Sequence, residues 1–172
     1  MSSPTAGTGS EGDTGVTVVR AESVDPDTSG HGQRTFRQRR LGHAAGGEAL
    51  GTSLYELDPG DRTWPAHWHT ANEEAIYVLD GRVRLWLGTG EARTGRVLEP
   101  GAYVALPTGA AHAHEVEAAG DETARFLVVS TMVEPDVTVL PDAGKVHVVA
   151  GDPPGEYENR TISATFDAAS TV

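Results

Sequence analysis

The chain has 172 residues, 38% of them hydrophobic, a length and apolar content that suit one domain with one core. Its formal charge is −12, and its basic residues are twelve arginines and the single Lys145, so the surface as a whole repels a phosphate backbone and nucleic acid is not an expected partner. There is no cysteine to form a disulfide or supply a thiolate, no run of eighteen apolar residues, and no basic start followed by an apolar stretch; the expectation is a cytoplasmic protein that does not enter a membrane.

Residues 1–15 are nearly all small or polar and cannot bury enough surface to offset their ordering entropy, which predicts a disordered tail. An N-terminal arm follows over 16–33, with a short strand at 16–20 and loop over 21–33, where Asp25-Pro26 and Gly30-His31-Gly32 break the chain. From Arg34 the pattern is of strands. Arg34, Arg37, Arg39 and Arg40 surround Phe36 as on the charged face of an edge strand. Residues 50–57 form a strand closed by the turn Asp58-Pro59-Gly60-Asp61, where Pro presets φ and Gly accepts a positive one. Residues 74–80 and 82–87 read as a hairpin about Gly81, with Val83, Leu85 and Leu87 alternating against Arg82, Arg84 and Trp86. A loop over 88–95, a short strand at 96–98, a turn at Glu99-Pro100-Gly101 and a strand at 102–106 come next. Residues 124–132, ARFLVVSTM, make the longest apolar strand and predict a central position in a sheet. A crossing punctuated by proline leads to a strand at 145–149, Asp152-Pro153-Pro154-Gly155 interrupts the chain, and a last strand is expected at 160–166. Short strands, regular turns and no sustained helical period predict an all-β sandwich or barrel.

The chemistry concentrates in GDRTWPAHWHTANEEAIYVLDG, residues 60–81. In an extended strand His67 and His69 point to one side, and a carboxylate from the next strand can join them. A third imidazole can come after the Pro107-Thr108-Gly109 turn, at His112. Imidazole and carboxylate together are the donor set of a divalent transition metal.

Two motifs here resemble the cupin family. The first is Gly, then His-x-His, four residues, Glu, six residues, Gly, present as Gly60, His67, His69, Glu74 and Gly81; this spacing selects Glu74 over Glu73. The second is Gly, five residues, Pro-x-Gly, two residues, His, three residues, Asn, present as Gly101, Pro107, Gly109 and His112, with Val116 where Asn is usual; Gly60 also stands one residue further from His67 than the pattern asks. The resemblance covers residues 34–150 and implies a jelly-roll barrel, the double-stranded β-helix, with residues 151–172 as an extension packing on the barrel or a partner subunit. It implies His67, His69, Glu74 and His112 as ligands of one divalent ion, whether Mn, Fe, Co, Ni, Cu or Zn. It further implies a homodimer.

His114, two residues beyond His112 and on the same side of a regular strand, is the candidate catalytic group beside the ion, with a fifth ligand or a rim residue as the alternatives. His43 and His147 lie outside both motifs and are given ordinary surface or core roles, while Tyr77 and Tyr103 are expected to pack in the core. Three imidazoles and one carboxylate leave coordination positions open, which suits an enzyme acting on a small organic molecule, as a dioxygenase first and an isomerase or lyase second. The alternative is a barrel that holds a metal or small ligand without turnover. Acidic excess with almost no lysine also suits concentrated salt, where screening removes self-repulsion; a halophilic protein is the expectation.

Overall fold

The structure, a computed structural model, describes residues 15–149 and 161–165. Its strands are β1 (Asp27–His31), β2 (Arg34–Arg39), β3 (Gly51–Leu57), β4 (Trp68–His69), β5 (Glu74–Asp80), β6 (Val83–Leu87), β7 (Thr94–Leu98), β8 (Tyr103–Leu106), β9 (His114–Ala118), β10 (Ala124–Ser130), β11 (Asp136–Leu140), β12 (Lys145–Val149) and β13 (Thr161–Thr165). One four-residue helix, α1 (Leu41–Ala44), stands among them. The strands pair antiparallel in three sheets, ordered β1-β2-β3-β10-β5-β8, β13-β12-β11-β4 and β7-β6-β9. This is the expected all-β jelly-roll.

Period-two alternation decides what enters the barrel. Along β5, Ile76 and Val78 are buried and Tyr77 and Leu79 exposed, so Glu74, in phase with the first pair, points inward too. Along β10 the inward row holds Ala124 and Phe126, and the strand lies between β3 and β5, the central place its apolar run predicts. Tyr55 of β3 stacks on Phe126, ring centroids 5.5 Å apart, and Phe36 of β2 tilts against Tyr55 at the same separation. Rings offset in this way add to the area they bury, and each such side chain contributes about 1.5–3 kcal/mol by burial. Leu57, Val83, Leu85, Leu98 and Val116 complete a core that fills one end of the barrel. The other end is left for Glu74 and the imidazoles.

Several expectations change. Residues 16–20 form no strand, and the predicted loop over 21–33 contains a 3-10 turn and β1, which pairs with β2 from Asp27↔Gln38 to His31↔Arg34. β2 is therefore an inner strand, and its arginines, with Arg40 just beyond it, are neutralised by carboxylates: Arg34 by Glu115, Arg37 by Asp58, Arg39 by Glu56, and Arg40 by Asp27. A hairpin with a Gly-rich turn carries too little apolar pattern to be found by periodicity. Tyr77 and Tyr103 face outward, 41% and 65% exposed, opposite one another on β5 and β8. The expected tail, all but its last residue, and the break at 152–155 lie outside the described residues. Among the described residues no helix is long and apolar enough to cross a membrane.

Candidate metal centre

The His67-Trp68-His69 stretch joins two sheets. On one side β4 pairs with β11, Trp68 opposite Val139 and His69 opposite Thr138; on the other, His67 bridges to His114 at the start of β9. Two backbone hydrogen bonds make that bridge, His67 N–H to the His114 carbonyl at 3.0 Å and His114 N–H to the His67 carbonyl at 2.9 Å. Residues directly opposite in an antiparallel pair share a face. The His67 and His114 rings accordingly lie side by side, centroids 4.7 Å apart, with His69 at 5.4 Å from His67. Glu74 enters from β5, its Oε2 at 3.2 Å from His114 Nε2 and 3.4 Å from His69 Nε2.

Each imidazole is oriented through its other nitrogen. Nδ1 of His67 lies 2.9 Å from the Pro65 carbonyl and Nδ1 of His114 lies 3.1 Å from the His112 carbonyl. A carbonyl only accepts, so in both rings Nδ1 carries the proton and Nε2 presents a lone pair to the interior. His69 Nδ1 donates to Asp136 Oδ2 at 2.6 Å, with the Thr138 hydroxyl at 3.2 Å. Asp136 is itself buried, and its Oδ1 accepts from the Ala71 N–H at 2.9 Å. His67 and His69 bring donor atoms close to each other and to Glu74, and His114 Nε2 approaches the same carboxylate oxygen. Glu74 Oε2 is buried and has no aligned hydrogen bond despite the two nitrogens near it. Imidazole nitrogens converging on an orphaned carboxylate oxygen are what a cation would satisfy. The donor atoms of His67, His69 and Glu74 lie within 4.8 Å of one another.

Burial, with the neighbouring His114, pushes His67 down to about 4, which keeps it neutral and able to bind a metal at neutral pH. Burial also works against charge on His69, but Asp136 and Glu74 flank it and hold it up at about 9, so at neutral pH its Nε2 keeps a proton that a metal would displace. Glu74 is opposed by burial, yet hydrogen-bonding distance to His114 and His69 holds it below the usual carboxylate range, and Asp136 is drawn down to about 2, against burial, by His69 and the Ala71 N–H. Both carboxylates are therefore ionised at any ordinary pH.

Of the residues expected from sequence, His67, His69 and Glu74 come together, and His112 does not join them. Gly109, at φ +100°, turns the chain into a 3-10 turn over Ala110–His112, and β9 begins only at His114. His112 ends that turn with Nδ1 at 3.3 Å from the Thr108 carbonyl. The assumption of one regular strand through both histidines fails for that reason: the turn separates them, and it is His114 that faces inward. Asp136 is a residue the sequence does not flag. It lies 67 positions beyond His69 in a stretch marked only by proline, and strand register alone brings it there.

Asp136 yields a direct prediction. Outer carboxylates that hold a metal-binding histidine are worth about 10–100-fold in metal affinity. Asp136→Asn is expected to weaken metal binding by that factor, read by competition with a coloured chelator; an affinity within twofold of the native protein contradicts the role given to Asp136.

The centre opens into a cavity of about 250 Å³, walled by Tyr55, Trp64, Phe126, Val128, Leu140 and, among polar groups, Thr63, Thr138 and His147. Most of the wall is apolar, so a bound molecule would be dried there and polar contacts to it strengthened.

Comparison with known proteins agrees with the fold. The family described as Cupin domain matches residues 53–130. A candidate sugar phosphate isomerase from Acidithiobacillus ferrooxidans is 24% identical, with 90% of this chain and 94% of that chain covered and a TM-score of 0.73. A sugar phosphate isomerase from Silicibacter pomeroyi is 22% identical over 88% and 94%, with a TM-score of 0.72. Oxalate decarboxylase of Bacillus subtilis, described by its Mn(II) centres, is 22% identical over 70% of this chain and 31% of its own, with a TM-score of 0.52. Curated protein sequences offer no match.

Proposed function

We propose that this chain, whose residues 53–130 match the Cupin domain family, is a metal-dependent enzyme acting on a small organic molecule, with His67, His69, Glu74 and His114 as the ligands of one divalent transition metal. The observation that carries this is the buried, unsatisfied Oε2 of Glu74 facing imidazoles whose Nδ1 atoms are already engaged. When bound, such an ion supplies a Lewis acid that polarises an oxygen of the substrate. The chain's own contribution is orientation and dryness. Pro65, Asp136 and the His112 carbonyl fix the three rings, and Tyr55, Phe126, Val128 and Leu140 keep bulk water from the molecule held beside them.

Isomerase or lyase chemistry is placed ahead of dioxygen chemistry, reversing the order suggested by sequence. What supports the change is that two neighbours matched over 88% or more of both chains are described as sugar phosphate isomerases. The cavity adds protic groups, Tyr55 and His147, that such chemistry can use.

Elemental analysis of protein purified without a metal-affinity step tests the reading. One equivalent of a single divalent metal is expected, and Glu74→Gln is expected to lose it. A protein that takes up none after exposure to Mn, Fe, Co, Ni and Zn salts overturns the metal and leaves the alternative, a barrel that binds small ligands without one.

A further inference from the structure

Six titratable side chains line the cavity: His67, His69, Glu74, His114, Tyr55 and His147. The first four converge on the proposed metal. Tyr55 is buried, and burial pushes its phenol above the ordinary value, so it stays neutral and donates or accepts only as a hydroxyl. That leaves His147.

His147 lies on β12 directly opposite Thr138 of β11. Opposite residues of an antiparallel pair share a face, their Cβ atoms about 4.5–5.5 Å apart. Thr138 turns its hydroxyl to His69 Nδ1 at 3.2 Å, so His147 stands one side chain further from the converging imidazoles on the same wall. Lining the same cavity but outside the ligand cluster, it is placed to touch a molecule held at the centre. Its ring is half-buried and has no hydrogen bond to another described residue, whereas His67, His69 and His114 each have Nδ1 committed. The same wall carries Leu140, Val128 and Phe126, and among the described residues His147 is the one cavity imidazole without a hydrogen-bond partner.

We infer that His147 is a catalytic residue of this site, hydrogen-bonding the distal polar group of a small oxygen-donor substrate and moving a proton on it. The inference rests on the metal reading above. A neutral ring nitrogen takes a proton from a C–H or O–H of the bound molecule, whose electron pair stays on that molecule. The imidazolium then gives the proton back at another atom of the same molecule. One bond to hydrogen breaks and one forms in each transfer, no electron leaves the substrate, and no oxidant is required. The cavity, at about 250 Å³, lies below the range of about 300–1,000 Å³ that takes drug-sized ligands, so the substrate is small.

The test uses the full chain loaded with cobalt(II) and acetohydroxamate, a two-oxygen chelator, as the probe. Native protein, His147→Ala and His147→Gln are compared for cobalt content and for the change in the cobalt visible spectrum on titration. Equal cobalt in all three is expected, with the probe bound about tenfold more weakly by His147→Ala, as for one lost hydrogen bond in a dry site, and largely recovered in His147→Gln. In zinc-loaded protein the 15N signals of the His147 ring, identified by their loss in His147→Gln, are expected to shift when the probe is added; a purely structural histidine would not move them. Unchanged probe affinity and unshifted ring signals with cobalt in place overturn the inference alone. Native protein that binds no cobalt overturns the metal reading and this inference with it, and the cobalt content tells the two failures apart.

Discussion

Elemental analysis of His114→Ala is expected to find almost no metal, while His112→Ala keeps about one equivalent. His114 lies opposite His67 in a two-hydrogen-bond bridge, has its Nδ1 held by the His112 carbonyl, and brings Nε2 to 3.2 Å from Glu74 Oε2. Its removal takes away one of four donors and leaves Glu74 buried with one imidazole fewer beside it. The loss should exceed the ~10–100-fold cost of an outer partner such as Asp136. His112 gives the centre its backbone carbonyl, and alanine keeps that atom; its ring faces the Thr108 carbonyl at 3.3 Å on the far side of a 3-10 turn. The opposite outcome, metal lost in His112→Ala and retained in His114→Ala, would restore the ligand set expected from the Pro-x-Gly motif and refute the placement of β9 described above.

Glu115→Ala is expected to destabilise the fold by about 3 kcal/mol, a fall of about 6–12 °C in Tm for a chain of this size, measured in chelator so that metal does not contribute. Glu115 follows His114 on β9, so alternation sends its side chain the opposite way, out through the small sheet. It is nevertheless 1% exposed. Arg34 from β2 hydrogen-bonds it, Arg93 reaches its other oxygen at 2.9 Å, and Arg62 stands at 3.8 Å. Taking the carboxylate away leaves three guanidinium groups crowded with one fewer counter-charge, a change that costs about 3–5 kcal/mol where the pair is fully buried. The arginines keep 22–37% of their side chains in water, and screening brings the figure to the lower end. Because the cluster ties β2 and two loops to β9, its loss should also loosen His114 and weaken metal binding. A loss of stability below about 0.5 kcal/mol, the scale of an ordinary surface change, would show that the cluster holds nothing together.

Residues 67 to 74 show how far local pattern reaches. His67 and His69 share a strand face because side chains two apart do so in any extended chain, and Glu74 follows in phase with Ile76 and Val78, whose burial is plain from their chemistry. Nothing non-local is needed for those three. His112 and His114 show where pattern stops. Both fit the alternation if the strand begins at the turn, and only the 3-10 geometry after Gly109, with the pairing of His114 to His67, decides between them.

By itself, then, the sequence determined the all-β jelly-roll, the cupin resemblance and the histidine pair with Glu74, all of which depend on spacing within single strands and turns. Tertiary structure decided that His114 stands as the third imidazole beside Glu74, and it placed the orienting carboxylate of Asp136, the clamp at Glu115 and His147 on the cavity wall. Each of these depends on which strands become neighbours and in what register, and a one-residue shift in pairing would turn every one of those side chains to the other face.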